Sequence, residues 1–534
     1  MIGETLRERD FSAPGKSVAM ARNAMVATSH PQATLAALDV LRAGGNAVDA
    51  AIAAVALQCV IDPHMTGIGG DCFALYAPKG RDPIALNGSG RAPKGASLEK
   101  LRGLGLSAIP EDSPHAVTIP GAVDAWCRLS NAYGRLGLPT SLRPAIAAAE
   151  EGFLITPRVS HDFARFGHRL NPYPDAVAHY LPGGKAPAIG QQMTNPMLAD
   201  TLRRIAEHGP RGFYEGPVAE DIVATLRGLG GFHTLEDFAG YASFETQPIA
   251  ATYRDFEILE CPPNGQGLAA LIIARILDGF DLSSSALSEA DRIHLLAEAT
   301  KAAYRLRDIH IADPAAMTHS VDELLAEPFI AQLRARISMD RASAAEDFDI
   351  PVHRDTVYVA VVDADGNAIS LINSLFFPFG SGIYAKKSGV LLQNRGTGFS
   401  LTPGHDNAIA PSKLPFHTII PGLLRRNGQT VMPFGVMGGQ YQATGHIHFL
   451  SQILDRGFDI QQASDQPRSF YTQAAIQLET TISEAVKADL EARGHRTTYS
   501  SLPLGGCQAI WIDKERDILW GASDHRKDGI ALGY

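Results

Sequence analysis

The residue with the clearest chemical potential is Thr356, at the head of an alternating, β-branched run from Thr356 to Val362. Asp363 to Asn367 follows with turn chemistry and Ala368 to Phe376 alternates again, so the stretch reads as a hairpin with a hydroxyl at its entrance. An alcohol is a weak nucleophile unless a base lies within hydrogen-bond reach. One way to supply that base is to make the threonine an N-terminus, because an α-amine titrates at about 7.7 to 8 and is partly neutral near pH 7. The other reading of Thr356 is a strand former with no chemical role.

The elements that must hold this hairpin are mostly helical upstream of it. Hydrophobic spacing and Pro or Gly breaks predict helices over Gln32 to Ala43, Val48 to Val60, Pro120 to Tyr133, Leu142 to Glu151, Asn195 to Glu207 and Pro217 to Leu229. Further helices are expected over Leu268 to Leu277, Ser288 to Ile309 and Ser320 to Ile337, with strands at Met25 to His30, Cys72 to Ala77 and Phe256 to Glu260. Met339 to Val352 is dense in Asp, Glu, Arg and Ser and reads as a mobile linker ending just short of Thr356.

A chain of 534 residues has ample length for a deep core. Its formal charge of −10 is spread without long runs, which argues against nucleic acid or an anionic membrane as partner and for a small-molecule ligand. Five cysteines without CxxC spacing indicate neither a disulfide framework nor a zinc site and fit a reducing compartment. The first thirty residues lack the apolar core of a signal peptide, and no window approaches a membrane span, so a cytoplasmic location is expected.

Two glycine-bearing runs invite a ligand reading. Thr66 to Asp71 precedes a strand, whereas a nucleotide fingerprint needs its glycines after one, so tight turns beside a site wall are the better account. Cys261 to Gly267 sits ahead of a helix start, a position that would suit an anion or a substrate carbonyl and that helix capping alone also explains. His446 and His448 have an i, i+2 spacing that does not align two ligands on one helix face, and no metal or other cofactor is expected.

The ordered blocks Met25–Ala54, Asp62–Tyr76, Pro114–Trp126 and Arg143–Phe153, then VVDADGNA, FGSGI, GVLLQN, VMGG and the terminal GASDHRKDGIALGY, resemble the γ-glutamyltranspeptidase family. The resemblance implies an α+β, four-layer αββα sandwich of the N-terminal nucleophile hydrolase type. It also implies a precursor that cuts itself between Asp355 and Thr356, leaving a large subunit of residues 1–355 and a small subunit of residues 356–534 in one interleaved body. Thr356 would then be the nucleophile, Gly438 and Gly439 would donate backbone N–H groups to the oxyanion, and Ser374 would orient the Thr356 amine.

The substrate end departs from the γ-glutamyl pattern. Counting back from Ala92-Pro93, Ser89 falls where such relatives carry a carboxylate-gripping arginine, with Arg91 two places on. The motif that elsewhere carries an acid for the substrate ammonium reads Gln393-Asn394-Arg395-Gly396-Thr397-Gly398-Phe399 here, without one. Phe376 replaces an asparagine, and His417 and Thr418 replace a serine pair. Arg91, Asn394, Arg395, His417 and Thr418 are therefore the candidate substrate-binding residues, in a pocket suited to an anion more than to a zwitterion. This variant resembles the subgroup that includes oxamate amidohydrolase and glutaryl-cephalosporin acylase-like enzymes. The expected function is amide hydrolysis or acyl transfer through an acyl-enzyme, with γ-glutamyltransferase or glutathione hydrolase activity as the family default. The pocket favours a carboxylate-bearing amide without an α-amine, such as an oxamate or glutaryl amide. An alternative of another class is a non-catalytic binding protein on the same fold.

Overall fold

The computed structural model describes residues 7, 9, 10, 12, 15–344 and 356–534. Two seven-stranded antiparallel sheets lie face to face. In spatial order the first is Ala19–Ala21, Ile518–Ser523, Gly506–Asp513, Gln429–Met437, Gly422–Arg426, Phe256–Glu260 and Ile249–Tyr253. The second is Ile530–Gly533, Met25–Thr28, Val357–Val362, Ala368–Ser374, Asp71–Ala77, Ile84–Gly88 and Phe244–Thr246. Stretches before and after Thr356 contribute strands to both sheets, so neither part could complete a sheet alone.

Three apolar clusters fill the spaces between four layers. Helices Pro31–Arg42, Ala47–Ile61 and Ala122–Tyr133 cover the outer face of the second sheet. Helices Gly267–Leu277, Glu289–His310 and Tyr441–Leu454 belong to the cluster on the outer side of the first sheet. The third cluster lies between the sheets. Strand Val357–Val362 shows how sequence dictates this: Val357, Val359 and Val361 point to the helices, while Tyr358, Ala360 and Val362 point to the facing sheet. Both faces are apolar because both are covered, which makes this an αββα sandwich.

The hairpin forms as its sequence predicts, in register from Val357 opposite Asn373 to Val362 opposite Ala368. Its turn is closed by Asp363, whose Oδ1 accepts the Asp365 and Asn367 amides. Oδ2 of the same side chain accepts the amide of Ala47, tying the turn to the start of helix Ala47–Ile61.

The expected single helix over Ser320 to Ile337 is two helices, Val321–Leu325 and Glu327–Arg334. Pro328 sits in the first turn of the second, and because it has no N–H for the carbonyl four residues back and its ring crowds that carbonyl, one helix cannot run through and the pattern breaks at Ala326. The helix expected from Leu142 begins earlier, at Leu138, where Pro139 occupies a permitted first-turn position. Of the predicted linker, Met339 to Ala344 is held down: Arg493 Nη1 donates to the Met339 carbonyl, and the Ser343 amide donates to Glu298. The remainder of that linker and Asp355 lie outside the described residues. Among the described residues no helix is long and apolar enough to cross a membrane.

The terminal block is fixed by a buried charge network. Arg468 and Arg526 flank Asp524 at 2.5 and 3.2 Å, and Arg526 also pairs with Glu479 at 2.5 Å. Asp524 accepts the Cys507 amide and Arg468 donates to the Leu504 carbonyl, so the network braces the Leu504–Gly506 loop. The two guanidinium groups outweigh burial and hold the Asp524 carboxyl well below the usual carboxylate range. Its contribution is complete above the unfolded value of about 4 and is lost as pH falls toward the depressed value. Asp524→Ala is expected to cost about 3 to 5 kcal/mol, because it leaves the buried Arg468 without a counter-ion and Arg526 with Glu479 alone. Urea unfolding at pH 7 checks this, and the gap between variant and parent should shrink in acid.

Candidate active site

Thr356 is fully buried at the head of its strand. Its Oγ1 donates to Ser374 Oγ at 3.2 Å, and Ser374 Oγ also accepts the Phe376 amide at 2.9 Å. Ser374 ends the partner strand of the hairpin, so pairing alone brings the two hydroxyls together. In the structure Ser374 thus touches the threonine hydroxyl. Gln442 Nε2 approaches the same Oγ1 at 3.5 Å from the first turn of helix Tyr441–Leu454.

That helix is preceded by Gly438 and Gly439, with φ of 133° and 57°. Both values lie where a side chain is strained, and a Cβ on Gly438 would press within 2.9 Å of Gly505 Cα. The pair is seated by Gln266, whose Nε2 donates to the carbonyls of Thr418 at 2.6 Å and Gly439 at 2.9 Å. This gives the Cys261–Gly267 run its role in the fold: it brings Gln266 between the glycine turn and the Thr418 segment.

Arg395 is completely buried. Its guanidinium lies 3.9 Å over the Phe376 ring, and Nη1 donates to Thr418 Oγ1 at 2.9 Å. Nε and Nη2 have no hydrogen-bond partner among the described residues. Burial pushes the group down to about 9, with the Asp71 charge opposing the fall, so it remains a cation at neutral pH. Phe376 holds φ at +83°, a costly backbone for an aromatic residue, directly after the Ser374 turn.

Asp71 is the nearby acid, and it does not pair with that arginine. Its Oδ1 accepts the amides of Gly90 and Gly121 and the Gln393 side chain, at 3.0, 3.2 and 2.9 Å. Oδ2 meets His417 Nε2 at 3.0 Å. Because His417 Nδ1 accepts the Ile419 amide, the ring proton sits on Nε2 and points to Asp71. Burial raises the Asp71 carboxyl to about 6, against the pull of Arg395 and these donors, leaving it ionised at pH 7.

The predicted site residues divide accordingly. Thr356, Ser374, Gly439, Arg395 and Thr418 are linked through direct contacts or through Gln266, Gln442 and Phe376. Asn394 is used structurally, accepting the Phe377 amide and donating to the Glu111 carbonyl. His417 spends both ring nitrogens on the protein. Arg91 is elsewhere: its side chain is 40 % exposed, donates to the Ser412 carbonyl and faces Asp313 at 3.8 Å. Asp71, Gln266 and Gln442 were missed, although an ionisable residue closing a glycine run at a strand head was a usable signal for Asp71. Gly70 has no room for a Cβ, which would collide with the Ser374 carbonyl.

His446 binds Glu260 at 2.7 Å in the core. A second buried group, His294, Glu298 and His495, has metal-ligand composition. Its Glu298 already accepts the Lys301 ammonium at 2.7 Å and the Ser343 amide, and its imidazoles hydrogen-bond each other at 2.8 Å. An ammonium on the only carboxylate makes this a hydrogen-bonded brace.

Comparison with known proteins agrees with this geometry. The family model described as gamma-glutamyltranspeptidase matches residues 33–534. The glutathione hydrolase-like YwrD proenzyme of Bacillus subtilis is 35 % identical over 521 residues, covering 95 % of this chain and 98 % of that protein. The oxamate amidohydrolase proenzyme of Klebsiella pneumoniae is 35 % identical over 525 residues, covering 96 % and 98 %. The crystal structure of cephalosporin acylase from Bacillus halodurans superposes with a TM-score of 0.92 at 38 % identity, covering 99 % of each chain. Matched along nearly its whole length in sequence and in fold, the chain belongs to the γ-glutamyltranspeptidase family and is one of its amide hydrolases.

Proposed function

We propose that the chain is a precursor cut between Asp355 and Thr356 into subunits of residues 1–355 and 356–534, and that the freed Thr356 hydrolyses an amide whose acyl part carries a second carboxylate and no α-amine. In the cut, Thr356 Oγ1 attacks the Asp355 carbonyl carbon and the scissile nitrogen takes a proton as the acyl group moves from nitrogen to oxygen. Water then hydrolyses the ester, releasing the Asp355 carboxylate and the Thr356 hydroxyl. In turnover the hydroxyl adds to the substrate carbonyl, its proton passing to the α-amine and on to the leaving amine. Water, or an acceptor amine, resolves the acyl-enzyme by the reverse proton path. Gly438 and Gly439 would offer amides to the oxyanion, and loss of one such donor costs on the order of 3 kcal/mol in the barrier.

The observation that carries the substrate class is Arg395: a buried cation over the Phe376 ring, with two nitrogens, Nε and Nη2, that have no hydrogen-bond partner among the described residues. A carboxylate satisfies such an edge with two parallel hydrogen bonds. A γ-glutamyl group would also bring an ammonium, and the acid near Arg395 already has four donors. The relatives named for oxamate and cephalosporin chemistry support the same choice. The five buried free thiols fit a reducing, cytoplasmic setting as part of this proposal. The test is a comparison of initial rates: an oxamate or glutaryl amide should turn over faster than a γ-glutamyl anilide, and equal or better rates on the anilide would overturn the substrate class.

A further inference from the structure

Arg395 poses a problem that the reaction does not solve. A buried guanidinium needs a nearby negative charge, yet a carboxylate free to reach it would occupy the edge on which substrate must bind. Asp71 supplies the charge, and the structure shows what restrains it. Three donors hold Oδ1: the amides of Gly90 and Gly121 and the Gln393 side chain. Among the described residues Oδ2 is held by one donor, His417 Nε2–H. His417 is in turn fixed by the Ile419 amide on Nδ1 and by the Phe73 ring, with centroids 4.7 Å apart. The result is a carboxylate that opposes the loss of Arg395 charge without forming an ion pair with it.

We infer that His417 and Asp71 form a positioning pair that sets specificity: His417 anchors the second oxygen of Asp71, so that the acid neutralises Arg395 from a distance and leaves its Nε and Nη2 edge open to a substrate carboxylate. This rests on the reading of Arg395 as the acyl-carboxylate site and assigns the residues that keep that site open. In this role His417 acts on the anion pocket through Asp71, with both ring nitrogens engaged by the protein. The pair also accounts for an acid at the end of the glycine run: it is the counter-ion of the Arg395 motif more than three hundred residues away in sequence.

The test is kinetic and structural. His417→Phe keeps a ring against Phe73 and removes the donor, freeing Asp71 Oδ2 to turn to Arg395. If nine-tenths of molecules then hold the closed ion pair, KM for the glutaryl or oxamate amide rises about tenfold while kcat stays within about twofold. His417→Gln, which restores an N–H at similar reach, should bring KM most of the way back. The double variant Asp71→Asn/His417→Phe has no acid to close the site, and the substrate carboxylate itself then supplies the charge that Arg395 lacks, so KM should also recover, whereas two merely structural losses would compound. Should His417→Phe not fold, His417→Leu carries the same readout. An unmoved KM in the single variant, or a double variant worse than the single one, overturns the pair. The crystal structure of His417→Phe decides independently of substrate: Asp71 should lie within hydrogen-bond distance of Arg395, and an Asp71 that stays in place refutes the inference. If the parent enzyme turns over no carboxylate amide, the substrate class falls, while this structural comparison still tests the pair.

Discussion

Thr356→Ala is expected to leave the protein as a single band of 57.0 kDa and to abolish amide hydrolysis. Both losses have one origin, because the same oxygen attacks its own chain and then the substrate. Removing a covalent nucleophile costs on the order of 10⁴ or more in kcat. The fold should persist. The side chain removed is small, Ser374 Oγ keeps the Phe376 amide as a partner, and Val357–Val362 pairs on both edges without help from Thr356. Gel electrophoresis and thermal melting separate the outcomes: an unprocessed, well-folded and inactive variant is expected. Normal cutting in Thr356→Ala would place the scission chemistry elsewhere.

The second large effect is expected at Arg395. Arg395→Met fills a similar volume and keeps contact with the Phe376 ring, but removes the charge and all five donors. Loss of a desolvated, bidentate carboxylate contact costs about 3 kcal/mol or more, so kcat/KM on a carboxylate-bearing amide should fall roughly 10²-fold, mostly through KM. Self-cutting should proceed, since Thr356 and the glycine turn are untouched. Stability should hold or rise, because a buried cation with unengaged donors is a cost to the free protein. Intact mass, melting temperature and steady-state rates on one preparation check all three. A variant with unchanged KM would show that the acyl group binds elsewhere.

The frame of this molecule was legible because its sheets are covered on both faces. Strand Val357–Val362 is buried at every position and almost wholly apolar, and the polar residues beside it are informative: Ser374 ends the partner strand at the nucleophile, and Asp363 closes the turn between the two. Helix extents followed from spacing except where proline intervened, as at Pro328, where one missing N–H outweighed a convincing period. Of the candidate site, the sequence placed some neighbours: Thr356 meets Ser374, and Arg395 meets Thr418. Arg91 did not join them, because counting along a loop says nothing of where an arginine points, and Asp313 and Ser412 hold it at the surface. Asp71 was read as part of a turn because its partners come from Gly90, Gly121, Gln393 and His417, contacts that only the folded sheet creates. Gln266 and Gln442 were invisible for the same reason.

The most direct measurement is the mass and N-terminal sequence of the fragments in active preparations of the unaltered protein. The account predicts two chains, the smaller beginning Thr-Val-Tyr-Val, with activity appearing in step with the cut. A chain that remains whole at 57.0 kDa and nevertheless hydrolyses its amide would contradict it.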